Sequence, residues 1–144
     1  FSVCNGGYAG TMEAAARGSS EAGGPTIGVT CDLLPRAVNP WISQEIRKPR
    51  LVDRITTLGE LGAGYVILPG GTGTLLELAY VLEMVHKGFS EERPIVLLGT
   101  FWEPVLEPLK EEMKQEGLAN LARFLTVARS PEEAASFLAE RLRR

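Results

Sequence analysis

The sequence contains few of the residues that bind metals or form disulfide bonds. Its 144 residues include one histidine, His86, and two cysteines, Cys4 and Cys31. A zinc site needs more such ligands, so we predict that the protein has no metal site. Each cysteine ends an apolar run, which is typical of a buried free thiol in a reducing compartment. We therefore expect a cytoplasmic protein.

Clustered positive charge and long apolar runs are also missing. The formal net charge is −3, and the only basic cluster is the short run Arg47-Lys48-Pro49-Arg50. Binding to a nucleic-acid backbone needs clustered Lys and Arg, so we expect no nucleic-acid partner. No apolar run approaches the roughly 20 residues that a membrane-spanning helix requires, and we expect no membrane association.

Two common nucleotide-binding motifs, the Walker loop with its Lys-Ser/Thr pair and G-x-G-x-x-G, are absent. Residues 69–77 instead read P-G-G-x-G-T-x-x-E. The apolar run Tyr65–Leu68 before them predicts a buried strand, and a helix should follow, with Thr72 or Thr74 as its cap. A glycine loop at a helix N-terminus presents unpaired N–H groups, so we predict a phosphate site here.

The order of apolar runs and helical patterns predicts the fold. Five predicted strands alternate with five predicted helices, and residues 32–44 after the second strand should form a long loop or a short irregular helix. Such alternation favours a Rossmann-like, doubly wound parallel sheet with three α/β/α layers. We expect a single nucleotide-binding domain over residues 1–144. Because the chain opens inside a strand, we also expect that a strand and a helix precede Phe1.

A second glycine-rich turn follows the first predicted strand at residues 5–10. Alone, each glycine turn could be a tight connection that binds nothing. Two such turns at the carboxyl edge of a parallel sheet make a nucleotide site the better interpretation. Spacing alone leaves Glu77 as either a solvated helix residue or a carboxylate facing the ligand. Arg54, on the helix before the central strand, would ordinarily be a surface residue.

The nine-residue motif resembles the signature of the LOG family, the cytokinin-activating phosphoribohydrolases once labelled "lysine decarboxylase-like". Family members also carry M-x-x-R-K on an upstream helix, and Arg54 stands at the matching interval before Pro69. Their G-G-G-x-x-G-x-M turn is similar to residues 5–12, where Asn5 replaces a glycine. The resemblance extends from Gly6 to about Pro108.

The resemblance implies hydrolysis of the N-glycosidic bond of AMP or an N6-modified AMP, which releases the base and ribose 5-phosphate. It implies catalytic roles for Arg54 and Glu77, no cofactor, and a homodimer or higher homo-oligomer. The residues implied to bind phosphate are Gly70, Gly71, Thr72, Gly73 and Thr74. Those implied to contact substrate are Gly6, Gly7, Gly10 and Met12.

Departures from the family pattern keep an alternative open. Ile55 stands where the family has lysine, and Asn5 where it has glycine. Related proteins of this fold include molybdenum-cofactor carriers, so the chain could bind a nucleotide-like ligand without hydrolysing it. The decarboxylase label is less consistent with the sequence, because pyridoxal phosphate chemistry needs a lysine at the site. No lysine follows a predicted strand beside a glycine loop.

The helix that carries Glu77 has more apolar residues than one sheet face requires. They are Leu78, Tyr80, Val81, Leu82, Met84 and Val85. We therefore predict that part of this helix lies at a subunit interface.

Overall fold

The computed structural model describes residues 1–117 and 123–142. The chain divides into two units, Phe1–Gly62 and Ala63–Arg144, each with its own sheet. In the described part of the chain, no helix is long and apolar enough to cross a membrane. The predicted end of the last helix at Arg144 lies outside the described residues.

The first unit contains three parallel strands in the order β1-β2-β3. Its elements are β1 (Val3–Asn5), α1 (Thr11–Glu21), β2 (Thr26–Cys31), β3 (Gln44–Lys48) and α2 (Leu51–Leu61). The central strand β2 is almost wholly buried, as expected for a strand with neighbours on both sides.

The second unit contains a separate three-stranded parallel sheet in the order β4-β5-β6. Its elements are β4 (Tyr65–Ile67), α3 (Thr72–His86), β5 (Ile95–Leu98), α4 (Glu103–Gln115), β6 (Leu125–Ala128) and α5 (Pro131–Leu142). Ser130 caps α5 as its sequence suggests, because its hydroxyl accepts a hydrogen bond from the Glu133 N–H at 3.2 Å.

Helix α3 is fixed in the second unit by one apolar face. Leu78, Val81, Leu82 and Val85 recur at helical spacing and are buried in the same cluster as residues of β4 and β5. Burying a side chain of this size contributes about 1.5–3 kcal/mol. This packing accounts for four of the apolar residues that suggested an interface. The same packing fixes the position of the first turn of α3, which contains part of the sequence motif.

Strand β3 was not predicted, because its sequence, Gln44-Glu45-Ile46-Arg47-Lys48, is charged and not apolar. It lies at one end of the sheet order, beside β2 only. A strand with one neighbour tolerates charged side chains, which also discourage pairing with another chain. The alternation of strands and helices and the parallel pairing confirm the predicted α/β, Rossmann-like class.

Candidate functional site

The motif at residues 69–77 forms a strand, a loop and the start of a helix, as predicted. Strand β4 ends at Ile67, and the Leu68 carbonyl accepts a hydrogen bond from Trp102 Nε1 at 2.9 Å. Trp102 is buried, so this bond fixes the point at which the chain leaves the sheet. Helix α3 then begins at Thr72, with Gly71 at its N-cap position.

The predicted cap by Thr72 or Thr74 is wrong. No side-chain hydrogen bond caps α3, since Gly71, which has no side chain, occupies the cap position. The first helical bond runs from Leu75 N–H to the Gly71 carbonyl at 3.0 Å. The N–H groups of Thr72, Gly73 and Thr74 come before this first bond. An α-helix provides no backbone partner for N–H groups at this position. The first turn also contains no acidic residue, so no carboxylate of that turn neutralises the positive end of the helix dipole.

The motif's glycines provide space and not an unusual backbone conformation. None of Gly70, Gly71 and Gly73 has a positive φ. A Cβ on Gly70 would overlap Thr74 Oγ1 and lie 2.9 Å from Thr74 Cβ. No atom lies within 4 Å of a Cβ built on Gly71 or Gly73. One glycine therefore lets Thr74 fold over the loop, and the other two leave its outer surface open to a ligand.

The solvent exposure of the loop residues agrees with these two roles of the glycines. Gly71, Thr72 and Gly73 are exposed, whereas Thr74 and Glu77 are half-buried. Glu77 lies between Leu76, which is 45% exposed, and Leu78, which is fully buried. Glu77 therefore lies at the boundary between the buried and the exposed faces of α3. An exposed loop with uncapped N–H groups can receive an anion, and an acid lies about one turn along the helix.

In the first unit, Arg54 is buried and not at the surface, contrary to the ordinary expectation for its helix. Only 7% of it is exposed. Its Nε donates a hydrogen bond to the Val29 carbonyl at 2.9 Å, and its Cζ lies 5.9 Å from the centre of the Tyr8 ring. These two contacts fix the plane of the guanidinium.

Gly6 lies directly against Arg54. A Cβ on Gly6 would overlap Arg54 Nη2 and lie 2.6 Å from Met12 Sδ. The structure therefore brings together three residues to which the resemblance assigned functions through two separate motifs: Gly6 and Met12 from the first glycine turn, and Arg54 from α2.

Gly7 and Gly10 have other surroundings, although both have φ +76°. Gly7 is buried, and its Cβ would lie 3.2 Å from Gly28 Cα, so it allows the loop after β1 to approach the backbone of β2 closely. Gly10 is exposed at the N-cap position of α1, with open space around it.

Two asparagines that sequence reasoning did not assign to function hold this loop. Asn5 Nδ2 donates to the Met12 carbonyl at 2.9 Å, and Asn5 Oδ1 accepts from Gly7 N–H at 2.8 Å. Asn39 is buried, and its Nδ2 donates to the carbonyls of Gly7 and Tyr8 at 3.1 and 3.0 Å. The departure at Asn5 thus ties the glycine turn to α1. The two carbonyls to which Asn39 Nδ2 donates lie far away in the chain, so no local sequence signal predicts these bonds.

The two cysteines are free thiols without the features of a nucleophile. Burial raises the pKa of Cys4 to about 11, so little thiolate forms near neutral pH. Cys31 is buried at the end of β2. Among residues 1–117 and 123–142, no three His, Cys, Asp or Glu side chains are grouped to hold a metal ion.

An exposed glycine loop before an uncapped helix, at the end of a parallel strand, is an arrangement that recurs in proteins that bind phosphorylated ligands. The family described as "Possible lysine decarboxylase" matches residues 12–138. The chain belongs to this family, which confirms the resemblance to LOG proteins.

One relative and two solved structures add detail. The cytokinin riboside 5′-monophosphate phosphoribohydrolase of Rhodococcoides fascians is 29% identical over 109 residues, which cover 72% of this chain but only 54% of that protein. The molybdenum cofactor binding protein of Rippkaea orientalis has a TM-score of 0.74 at 21% identity, covering 99% of this chain and 78% of its own. The molybdenum cofactor carrier protein of Chlamydomonas reinhardtii has a TM-score of 0.69 at 23% identity, with coverage of 100% and 79%. At these identities the two structures show the fold alone.

Proposed function

We propose that the protein hydrolyses the N-glycosidic bond of a nucleoside 5′-monophosphate, AMP or an N6-modified AMP, to free base and ribose 5-phosphate. The observation that carries this proposal is the complete P-G-G-x-G-T-x-x-E motif on an exposed loop before an uncapped helix. The name of the Rhodococcoides fascians relative supports the same reaction. In this proposal the loop of Gly70 to Thr74 binds the 5′-phosphate through its N–H groups.

Glu77 has the catalytic carboxylate in this proposal. Breaking the bond between ribose and base builds positive, oxocarbenium-like charge on the sugar. A carboxylate near that charge stabilises it or takes a proton from the attacking water. Water supplies the hydroxyl group that joins the ribose, and the base leaves with the bonding electron pair and a proton. No metal is needed for this chemistry.

Arg54 has the second catalytic role. A guanidinium presents several N–H donors in one plane, which suits a substrate oxygen or nitrogen that gains negative character. The bond from Nε to Val29 and the contact with Tyr8 fix this plane before substrate arrives. Such preorganisation is the main source of electrostatic catalysis, because nothing has to reorient during the reaction.

A second candidate is a carrier that binds a nucleotide-like ligand intact. Ile55, which replaces the family's lysine, is 7% exposed and belongs to the core of its unit. A position that is polar in the family has therefore become a packing position. The two molybdenum cofactor proteins of the same fold are named for binding and carrying.

One experiment separates the two candidates. The protein is incubated with AMP and, separately, with isopentenyladenosine monophosphate, and the products are resolved by chromatography. Free base together with ribose 5-phosphate supports the hydrolase. Recovery of intact nucleotide in complex with the protein supports the carrier. Absence of both turnover and any nucleotide-induced rise in melting temperature would contradict both proposals.

Gly71→Ala tests whether the open face of the loop receives the ligand. The backbone at Gly71 has φ −94° and ψ −156°, which alanine adopts, and its Cβ would meet no atom. We expect an unchanged melting temperature but an affinity for AMP that is lower by about tenfold or more, because the methyl group occupies ligand space. Calorimetry and thermal unfolding measure the two quantities. An unchanged affinity would place the phosphate elsewhere.

We propose, separately, that copies of the chain associate through the side of α3 that its own core leaves open. Leu76 is 45% exposed there, although four other apolar residues of α3 are buried. Sedimentation velocity should give at least twice the chain mass of 15.6 kDa. Leu76→Glu should shift the protein to monomer, whereas Leu109→Glu, at a 51% exposed position on α4, should not. A monomeric parent protein would contradict the proposal.

A further inference from the structure

Asn39, in the connection between β2 and β3, is a buried polar residue to which the proposed mechanism gives no role. Only 7% of it is exposed. Its Nδ2 donates to the carbonyls of Gly7 and Tyr8, and its Oδ1 accepts a hydrogen bond from Trp41 N–H at 3.0 Å. Its own N–H donates to the Gly7 carbonyl at 2.9 Å. A buried side chain with this many bonds fixes the groups that it binds, because moving them would leave polar atoms unpaired.

The bonds of Asn39 fix the peptide group between Gly7 and Tyr8. Gly7 has φ +76°, a conformation that glycine adopts readily because it has no Cβ. The Gly7 carbonyl accepts hydrogen bonds from both the backbone and the side chain of Asn39, and the Tyr8 carbonyl accepts one from the side chain. The side chain of Asn39 therefore determines where Tyr8 leaves the glycine turn.

Tyr8 links this peptide group to Arg54. Tyr8 is buried, and its hydroxyl accepts a hydrogen bond from Cys31 N–H at 2.9 Å. Asn39 thus holds Tyr8 at its carbonyl, and Cys31 holds it at its hydroxyl. The centre of the ring lies 5.9 Å from Arg54 Cζ. A shift of the Tyr8 carbonyl would therefore move the ring against which the guanidinium lies.

We propose that Asn39 is a positioning residue for the guanidinium of Arg54, and that it acts through Tyr8. All of the contacts in this series lie within the first unit. Asn39 needs no contact with substrate for this role, because it keeps the ring of Tyr8, and so the plane of the guanidinium, in one orientation. The inference rests on the proposed function, because it adds a residue to the machinery of the same reaction.

Asn39→Asp tests this role with little change of shape. The carboxylate can still accept the bond from Trp41 N–H, but it has no N–H with which to bind the carbonyls of Gly7 and Tyr8. We expect kcat for AMP to fall by between about 10- and 100-fold, since a displacement of about 1 Å can cost about 10²-fold. KM should change by less than about threefold, because residues 70–74, which are proposed to bind the phosphate, are unaltered. Initial rates are measured well below the melting temperature of each variant.

Ser43→Ala is the matched control, because it removes other hydrogen bonds from the same connection. Ser43 Oγ donates to the Thr26 carbonyl at 2.8 Å and accepts from the Thr26 N–H at 3.0 Å. Both Ser43→Ala and Asn39→Asp should lower the melting temperature, but Ser43→Ala should keep the parent kcat. An equal fall in kcat in the two variants would overturn the proposal, since general loosening of the connection would then explain both.

A double-mutant cycle tests whether Asn39 acts through Arg54. Single-turnover cleavage of AMP should already be slow in Arg54→Lys, because lysine cannot reproduce the planar set of N–H donors. Adding Asn39→Asp to this variant should lower the rate by less than about twofold, whereas independent effects would multiply. A fall as large as in the parent background would overturn the proposal and leave the proposed function intact.

The Nε–H proton of Arg54 provides a readout that does not depend on turnover. Its burial and its bond to the Val29 carbonyl should give a protected side-chain signal in heteronuclear NMR spectra of the parent protein. We expect this signal to shift or broaden in Asn39→Asp and to stay in place in Ser43→Ala. An unchanged signal in Asn39→Asp would overturn the positioning role. Absence of cleavage by the parent protein would overturn the proposed function, and the NMR signal would still decide whether Asn39 positions Arg54.

Discussion

Gly6→Ala is expected to lower nucleotide cleavage by about 100-fold, although the change adds one methyl group. That methyl would overlap the Arg54 guanidinium and approach Met12 Sδ at 2.6 Å. Arg54 cannot retreat without losing its bond to Val29 or its contact with Tyr8. A catalytic group displaced by about 1 Å can cost about 10²-fold in rate. Overpacking of this kind should also destabilise the fold by about 1–3 kcal/mol.

Gly18→Ala is the matched control for this substitution. Gly18 lies in the interior of α1, and no atom lies within 4 Å of its Cβ position. Alanine there should stabilise the protein by roughly 0.5–1 kcal/mol and leave activity unchanged. Urea unfolding gives the stability of both variants, and initial rates at saturating AMP give their activity. If Gly6→Ala retained the parent rate while remaining folded, Arg54 would not be the catalytic arginine.

The contact between Gly6 and Arg54 shows what the sequence could not predict by itself. Each residue was assigned through a short motif, and those motifs are separated by two strands and a helix. Their proximity comes from the packing of α2 on the first sheet, which no local pattern records. The burial of Arg54 was missed for the same reason, since a charged helix residue is ordinarily at the surface.

Contiguous features were predicted far better. The strand, glycine loop and helix of residues 65–77 follow from glycine chemistry and helical periodicity within one stretch. The capping prediction failed at single-residue level, because α3 begins at Thr72 itself and leaves Gly71 at the cap. Strand β3 was missed because a strand at a sheet edge does not need apolar side chains, so its pattern resembles a loop.

Glu77→Gln should lower kcat by between about 10² and 10⁴, the usual contribution of a general acid or base. The amide has the shape of the carboxylate but no negative charge, so it can neither stabilise a developing cation nor accept a proton at neutral pH. The dissociation constant for AMP should change less than about threefold. The phosphate is expected at the N–H groups of residues 70–74, which this substitution leaves in place. Single-turnover rates and calorimetry separate the two effects.

Glu83→Gln on the same helix provides the control. Glu83 lies 3.9 Å from Lys87 Nζ, and its side chain is 60% exposed, so its loss should cost at most about 1 kcal/mol of stability. Its kcat should equal that of the parent protein. The two substitutions remove the same charge from the same helix, so any general effect of charge on α3 appears in both. A fall in kcat confined to Glu77→Gln therefore assigns the chemistry to the carboxylate beside the loop. Equal rates in both variants would instead mean that Glu77 is not the catalytic acid or base.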